Sequence, residues 1–198
     1  PSRGLGDVYK RQAEDIYKEK GNDRQFGKIV ILGCGYGMGW RKFKHFCASG
    51  PLGMDPIILS DKDALNTIET YRGGNAAIVS MWKRLNDEVI PALRHTVKET
   101  ELKCLKIRRG EIILPNGMSL QYPDLECTEE GWRFGNNHPL WGGTLLENII
   151  QALARIVVAD QMLQIDKLDG VQVVGMTHDE VIAICHQDVA DERFADCI

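Results

Sequence analysis

The chain has 198 residues, of which 43% are hydrophobic and 26% are charged, and its formal net charge is −4. Six cysteines without a Cys-x-x-Cys pair argue against a disulfide framework or a zinc site, and no window approaches the roughly 18 apolar residues of a membrane span. We therefore expect a soluble, intracellular chain with reduced thiols and no membrane partner.

The charges are unevenly distributed along the chain. Basic residues outnumber acidic ones in residues 1–50, whereas acidic residues outnumber basic ones in residues 151–198. This asymmetry suits an anionic partner near the first segment and bound cations near the second. A solvated surface of mixed charge is the alternative explanation, and charge alone does not separate the two.

Residues 1–12, "PSRGLGDVYKRQ", show no clear periodicity and contain no initiator Met. The six residues "DVYKRQ" resemble the translated end of a common sequencing adapter, so this stretch is interpreted as a probable library artefact. We exclude it from fold prediction and expect the chain to be a fragment that is cut at both ends.

The segment "KIVILGCGYGMGW" admits two structures. An apolar run followed by glycines is typical of the strand and Gly-rich turn of a nucleotide-binding sheet. The dinucleotide pattern GxGxxG fails, because its last place falls on Met38 or Trp40. "ILGCGYG" resembles the turn of S-adenosylmethionine-dependent methyltransferases, with Asp61 as the ribose-binding acid. A methyltransferase-like Rossmann module is therefore the alternative hypothesis.

The same segment also has a helical pattern. Arg24, Lys28, Leu32 and Tyr36 recur every four residues, so a helix of about 100° per residue aligns them in one stripe. Two cations followed by an apolar and an aromatic side chain suit a nucleoside triphosphate lying along the helix. Two ordinary surface cations would produce the same spacing.

Two helices are predicted between residues 60 and 97, after a Gly- and Pro-rich loop at residues 49–56. The first begins at an N-cap, Ser60 or Asp61, and ends near Gly73 and Gly74. The second has an apolar stripe at helical spacing that predicts burial in the core. The stripe consists of Ile78, Met81, Trp82, Leu85, Val89 and Leu93.

The remaining elements are a hairpin, a long helix and a second hairpin. Residues 102–123 predict two strands around Pro115–Gly117, and a long helix follows with Thr144 as its N-cap. Residues 171–187 predict two apolar strands that are joined by a polar turn of three residues, His178, Asp179 and Glu180.

That second turn is a candidate metal site. Adjacent carboxylates on Asp179 and Glu180 repel each other, and a divalent cation removes the repulsion; Mg²⁺ prefers such oxygen ligands. The alternative is an ordinary polar turn.

Taken together, these motifs resemble the family A DNA polymerases, of DNA polymerase I type, and especially their phage-like members. Arg24-x3-Lys28-x3-Leu32-Gly33-x2-Tyr36-Gly37 resembles motif B, the O helix of the fingers. Thr177-His178-Asp179-Glu180 resembles motif C of the palm. "LGCGYGMG", "YRGGNAAIVSMW", "LPNGMSLQYP" and "WGGTLLENIIQALAR" match phage-type members in the same order, over residues 20–186.

The resemblance implies an α+β fold with helical fingers at residues 13–140, followed by a partial palm at residues 141–198. The palm would contain a long helix and a small antiparallel sheet with a catalytic hairpin. The implied activity is template-directed addition of dNTPs to a primer 3′ end by two-metal phosphoryl transfer with two Mg²⁺ ions. The implied partners are primer-template DNA and dNTPs, for a monomer in the cytoplasm of a bacterial cell or phage-infected host.

Residue roles follow from the same resemblance. The incoming dNTP would be bound by Arg24, Lys28, Leu32 and Tyr36. DNA would be contacted by Tyr36, Gly37, Gln151 and His178. The catalytic residues would be Lys28, Asp179 and Glu180, with the two carboxylates as metal ligands.

The sequence departs from the family pattern in two places. Leu32 stands where the family usually has an aromatic residue, so discrimination between sugars does not transfer. The first catalytic aspartate of the family lies in motif A, upstream of motif B, and the residues before Arg24 do not form that motif. We therefore expect an incomplete active site in this fragment, and a nucleic-acid-binding module without catalysis is a third hypothesis.

Overall fold

The computed structural model describes residues 24–190, except for the side chains of Arg24, Leu52 and Val189. The predicted artefact at residues 1–12 lies outside this range. Helices come first along the chain, and small antiparallel sheets, a long helix and a final hairpin follow. The predicted α+β fold class is confirmed.

The described residues form two compact units. The first contains residues 24–91 and 126–146, and the second contains residues 92–125 and 147–190. The predicted subdomain boundary between residues 140 and 141 stays a prediction.

The first unit is mainly helical. Its helices, in chain order, are α1 (Arg24–Gly35), α2 (Trp40–Ala48), α3 (Asp61–Gly74) and α4 (Ala76–Arg84). A π-helical turn, Leu85–Val89, continues into α5 (Ile90–His95). Ser60 is the N-cap of α3, because its Oγ accepts a hydrogen bond from the Asp63 backbone N at 3.1 Å. The predicted start and end of this helix are confirmed.

The core of the first unit packs α1 against α2 and α3. Phe26, Ile29 and Val30 of α1 are at most 1% exposed. A Cβ added at Gly33 would lie 2.8 Å from Cδ2 of Phe43 on α2, so this glycine permits close helix packing. Leu32 lies inside α1, and the strand that the methyltransferase hypothesis requires there is not formed.

The second unit begins with a four-stranded antiparallel sheet. Its strands, paired in sequence order, are β1 (Thr100–Leu102), β2 (Leu105–Arg108), β3 (Glu111–Ile113) and β4 (Ser119–Gln121). Leu105 and Ile107 alternate inward on β2, as period-two burial requires. The predicted hairpin around Pro115–Gly117 is confirmed as β3 and β4, and the sequence prediction missed the other two strands.

A second small sheet belongs to the first unit. Its strands are β5 (Glu126–Thr128), β6 (Gly131–Phe134) and β7 (His138–Leu140), all antiparallel. The chain then enters the long helix α6 (Gly142–Ile165). The prediction of Thr144 as N-cap is wrong, because the helix begins two residues earlier and the Leu145 N–H donates to the Trp141 carbonyl at 2.9 Å.

By length and composition alone, α6 meets the criterion for a membrane span, which the sequence inspection had not found. Core helices of soluble proteins, which are mostly buried, meet the same criterion, whereas 22% of the apolar window of α6 is buried. Three charged residues, Glu147, Arg155 and Asp160, interrupt its apolar surface, and such residues are rare within membrane spans. The absence of a membrane partner stays a prediction.

Two buried thiols provide a test of the packing in the first unit. Burial raises the pKa of Cys34 to about 12 and that of Cys47 to about 11, so both stay protonated at pH 8. Cys104, Cys127 and Cys185 are exposed. We expect iodoacetamide at pH 8 to modify the three exposed thiols and to spare the two buried ones, as measured by peptide mapping. Modification of all six cysteines in urea is the control, and native labelling of Cys34 as fast as Cys104 would contradict the packing.

Candidate functional site

Helix α1 presents the predicted stripe on the side away from its core face. Lys28 and Leu32 are half-buried, whereas Phe26, Ile29 and Val30 on the opposite side are buried. Each residue of an α-helix is rotated by about 100° from the one before it, so Lys28 lies on a different side of the helix from the buried apolar residues. Arg24 begins the helix, and its side chain lies outside the described part.

Tyr36 lies just beyond the end of α1. The helix ends at Gly35, and the Tyr36 side chain is 42% exposed in the turn that follows. The sequence predicted that Tyr36 belongs to the helical face; it instead occupies the helix cap. The ring is nevertheless exposed, as predicted.

The cap itself has a specific hydrogen-bond pattern. The Gly37 N–H donates to the Cys34 carbonyl at 2.8 Å, and the Met38 N–H donates to the Gly33 carbonyl at 3.3 Å. This pair of bonds defines a Schellman motif, which requires a left-handed residue, and Gly37 has φ +70°. The structural role of Gly37 was missed in the sequence, although a glycine just past a helix end is the usual signal.

The second site lies on the hairpin of β8 (Val171–Thr177) and β9 (Glu180–Cys185). Thr177 pairs with Glu180, so the turn contains only His178 and Asp179. The predicted three-residue turn is therefore wrong, since Glu180 is already the first residue of a strand. His178 has φ +54°, a left-handed conformation that tight hairpin turns favour.

His178, Asp179 and Glu180 are all exposed. Behind them, the pairing shifts by one residue between Val173 and Gly175, which leaves Val174 as a bulge. Bulges increase local twist and are frequent next to functional sites, where they redirect side chains. The hairpin thus projects adjacent carboxylates of Asp179 and Glu180 from a twisted ribbon.

Helix α6 contacts this hairpin through Arg155. Arg155 Nη1 lies 3.2 Å from the Met176 Sδ of β8. Gln151 is exposed one helical turn earlier, and its Nε2 donates to Glu147 Oε1 at 3.0 Å. Residues four apart share a helix face, so Gln151 and Arg155 lie on one side of α6.

The carboxylates of the hairpin do not complete a metal site by themselves. Between residues 24 and 190, no group of three or more His, Cys, Asp or Glu side chains is arranged to hold one ion. Asp179 and Glu180 would supply two oxygen ligands of a larger Mg²⁺ site. The predicted dNTP-binding residues belong to the first unit, and the hairpin belongs to the second.

Comparison with known proteins gives one informative similarity. No family model matches the chain. The chain is 27% identical over 209 aligned residues to a protein of Bacillus phage SP02 named DNA polymerase. The alignment covers 89% of this chain and 30% of the phage protein, so the chain spans about a third of that relative's length. The similarity supports a relationship to DNA polymerases and does not test the family A type.

Proposed function

We propose that this chain is the fingers and C-terminal palm of a family A DNA polymerase, which in its intact form adds dNTPs to a primer 3′ end. The ordered motifs over residues 20–186 and the similarity to the phage DNA polymerase support this proposal. In the intact enzyme, Asp179 and Glu180 would help to hold two Mg²⁺ ions, which would supply activation of the primer 3′ oxygen and stabilisation of the charge on the leaving pyrophosphate.

The observation that carries the proposal is the arrangement of α1. The helix buries one side and leaves Lys28 and Leu32 on the other, with the exposed Tyr36 ring just beyond its end. The Lys28 ammonium would donate charge-assisted hydrogen bonds to the dNTP phosphates, and Arg24 would add a second cation. Leu32 would contact the sugar and base, and Tyr36 would stack at the template position.

The hairpin would supply the metal-binding and primer-binding groups. Asp179, at the exposed turn, and Glu180, beside it on β9, would supply oxygen ligands for Mg²⁺. His178 would contact the primer terminus, and Gln151 on α6 would reach the minor groove of the primer-template duplex. Gly37 would let the template strand pass close to the end of α1.

The proposal is tested by Lys28→Ala in the full-length enzyme, restored from its complete reading frame. A charge-assisted phosphate contact contributes roughly 1.5–3 kcal/mol, so we expect kcat/KM for dNTPs to fall about 10- to 100-fold. DNA affinity should change much less, because the contact is made to the nucleotide. Steady-state extension kinetics and fluorescence anisotropy with labelled primer-template measure the two quantities separately.

Lys42→Ala is the matched control, since Lys42 is an exposed lysine on α2 outside the proposed site. It should leave dNTP kinetics unchanged. Unchanged kinetics in Lys28→Ala as well would remove Lys28 from the nucleotide site and with it the main support for the proposal.

A further inference from the structure

A cavity of about 420 Å³ lies within the first unit, apart from the residues proposed to bind the dNTP. Its lining combines aromatic, cationic and hydrogen-bonding groups. The lining residues are Arg72, Val79, Trp82, Lys83, Asn86, Asp87 and Trp141.

Trp82 has an unsatisfied hydrogen-bond donor at this cavity. Its side chain is only 6% exposed, and its indole Nε1 is buried without a hydrogen-bond partner in the part of the chain that the structure describes. Native proteins satisfy nearly all such groups, because an unmade buried hydrogen bond destabilises the fold. Because this nitrogen has almost no accessible surface, a ligand in the cavity would contact the other lining groups.

Trp141 is a rigid aromatic surface beside Trp82. The two rings meet edge to face with centroids 5.8 Å apart, and Trp141 remains 37% exposed. Its six-membered ring lies against two glycines: an added Cβ would come within 2.0 Å of Cη2 at Gly37 and 2.2 Å at Gly143. The ring is therefore held in place before any ligand binds.

The polar lining matches the chemistry of a nucleotide. Arg72 and Lys83 are exposed cations that suit a phosphate. Asn86 and Asp87 offer acceptor oxygens for an N–H group of a base, and an exposed indole suits base stacking. Aromatic stacking combined with backbone-binding cations is the common pattern of single-strand recognition.

We propose that this cavity binds one unpaired nucleotide of a single strand, with its base on Trp141 and its phosphate near Arg72 and Lys83. The choice of nucleic acid as the ligand class rests on the proposed function. The contact between Trp141 and Gly37 joins this pocket to the cap of α1, beside the exposed Tyr36.

The test measures binding of the 198-residue chain to a fluorescein-labelled oligothymidylate by anisotropy, in EDTA without dNTPs or primer. Stacking of one base predicts that Trp141→Ala weakens binding about 10-fold, whereas Trp141→Phe, which keeps an aromatic ring, retains most of it. A strand of equal length with abasic positions should bind wild type and Trp141→Ala equally. Trp132→Phe, at a half-buried tryptophan outside the cavity, should change nothing.

The cations are tested by the salt dependence of the same binding. Arg72→Gln and Lys83→Gln should each reduce the slope of log Kd against log salt by about one, as expected for one lost phosphate contact. Lys62→Gln, at an exposed lysine of α3 outside the cavity, is the matched control.

Equal affinity of wild type for the normal and abasic strands, or unchanged binding in a folded Trp141→Ala, overturns this inference. Circular dichroism establishes folding, and Trp141→Phe preserves an aromatic ring if the alanine variant unfolds. Because the binding assay needs no catalysis, failure of the restored full-length enzyme to extend primers, with Trp141-dependent binding intact, would overturn the proposed function alone.

Discussion

Asp179→Ala is expected to abolish primer extension by the restored full-length enzyme while its fold stays intact. Asp179 is exposed in a two-residue turn, so its removal should change stability by no more than about 0.5 kcal/mol. Under the proposed function, Asp179 helps to bind the catalytic ions, and its loss removes several kcal/mol of transition-state stabilisation, a fall of about 10³-fold or more in rate. Primer extension on a gel and urea unfolding measure the two effects.

Asp166→Ala, at another exposed aspartate of the second unit, is the control and should extend primers normally. Under the proposed function, the 198-residue chain alone should not extend primers, because the residues before Arg24 do not form the motif that carries the family's first catalytic aspartate. Strand synthesis by the purified chain that survives Asp179→Ala would show that the catalytic assignment is wrong.

Gly142→Ala should cause a large loss of stability. An added Cβ would lie 1.9 Å from the Trp82 carbonyl oxygen, 2.8 Å from its carbonyl carbon and 3.1 Å from the Asn86 backbone N. These are backbone atoms, which cannot rotate away as a side chain can. We expect the free energy of unfolding to fall by roughly 3 kcal/mol, since overpacking at this site must displace main chain.

Gly73→Ala is the matched control, because Gly73 is helical and an added Cβ would meet nothing within 4 Å. It should raise the free energy of unfolding by roughly 0.5–1 kcal/mol, through helix propensity and reduced entropy of the unfolded chain. Urea denaturation compares the free energies of unfolding of both variants with that of wild type, and an unchanged m-value shows that the comparison concerns stability alone. A tolerated Gly142→Ala would mean that α6 does not approach Trp82 as closely as described.

Local sequence patterns determined the elements that are stabilised by contacts between residues close together in the sequence. The Ser60 cap of α3, its end at Gly74, the hairpin of β3 and β4, and the hairpin that carries Asp179 were all predictable. Caps, turns and amphipathic spacing act over a few residues, so the sequence contains their signals directly. For α1, the four-residue spacing indicated a helix but left a strand followed by a Gly-rich turn as the alternative.

The tertiary structure decided what depends on residues far apart in sequence. The glycines of "LGCGYG" are equally compatible with a nucleotide-binding turn, and only the packing of Gly33 on Phe43 and the Schellman cap at Gly37 give them a helical role. The start of α6 at Gly142 depends on close approach to the Trp82 backbone, which no local cap signal indicates. The edge-to-face pair of Trp82 and Trp141 joins side chains 59 positions apart (141 − 82), so only the folded chain forms the cavity beside them.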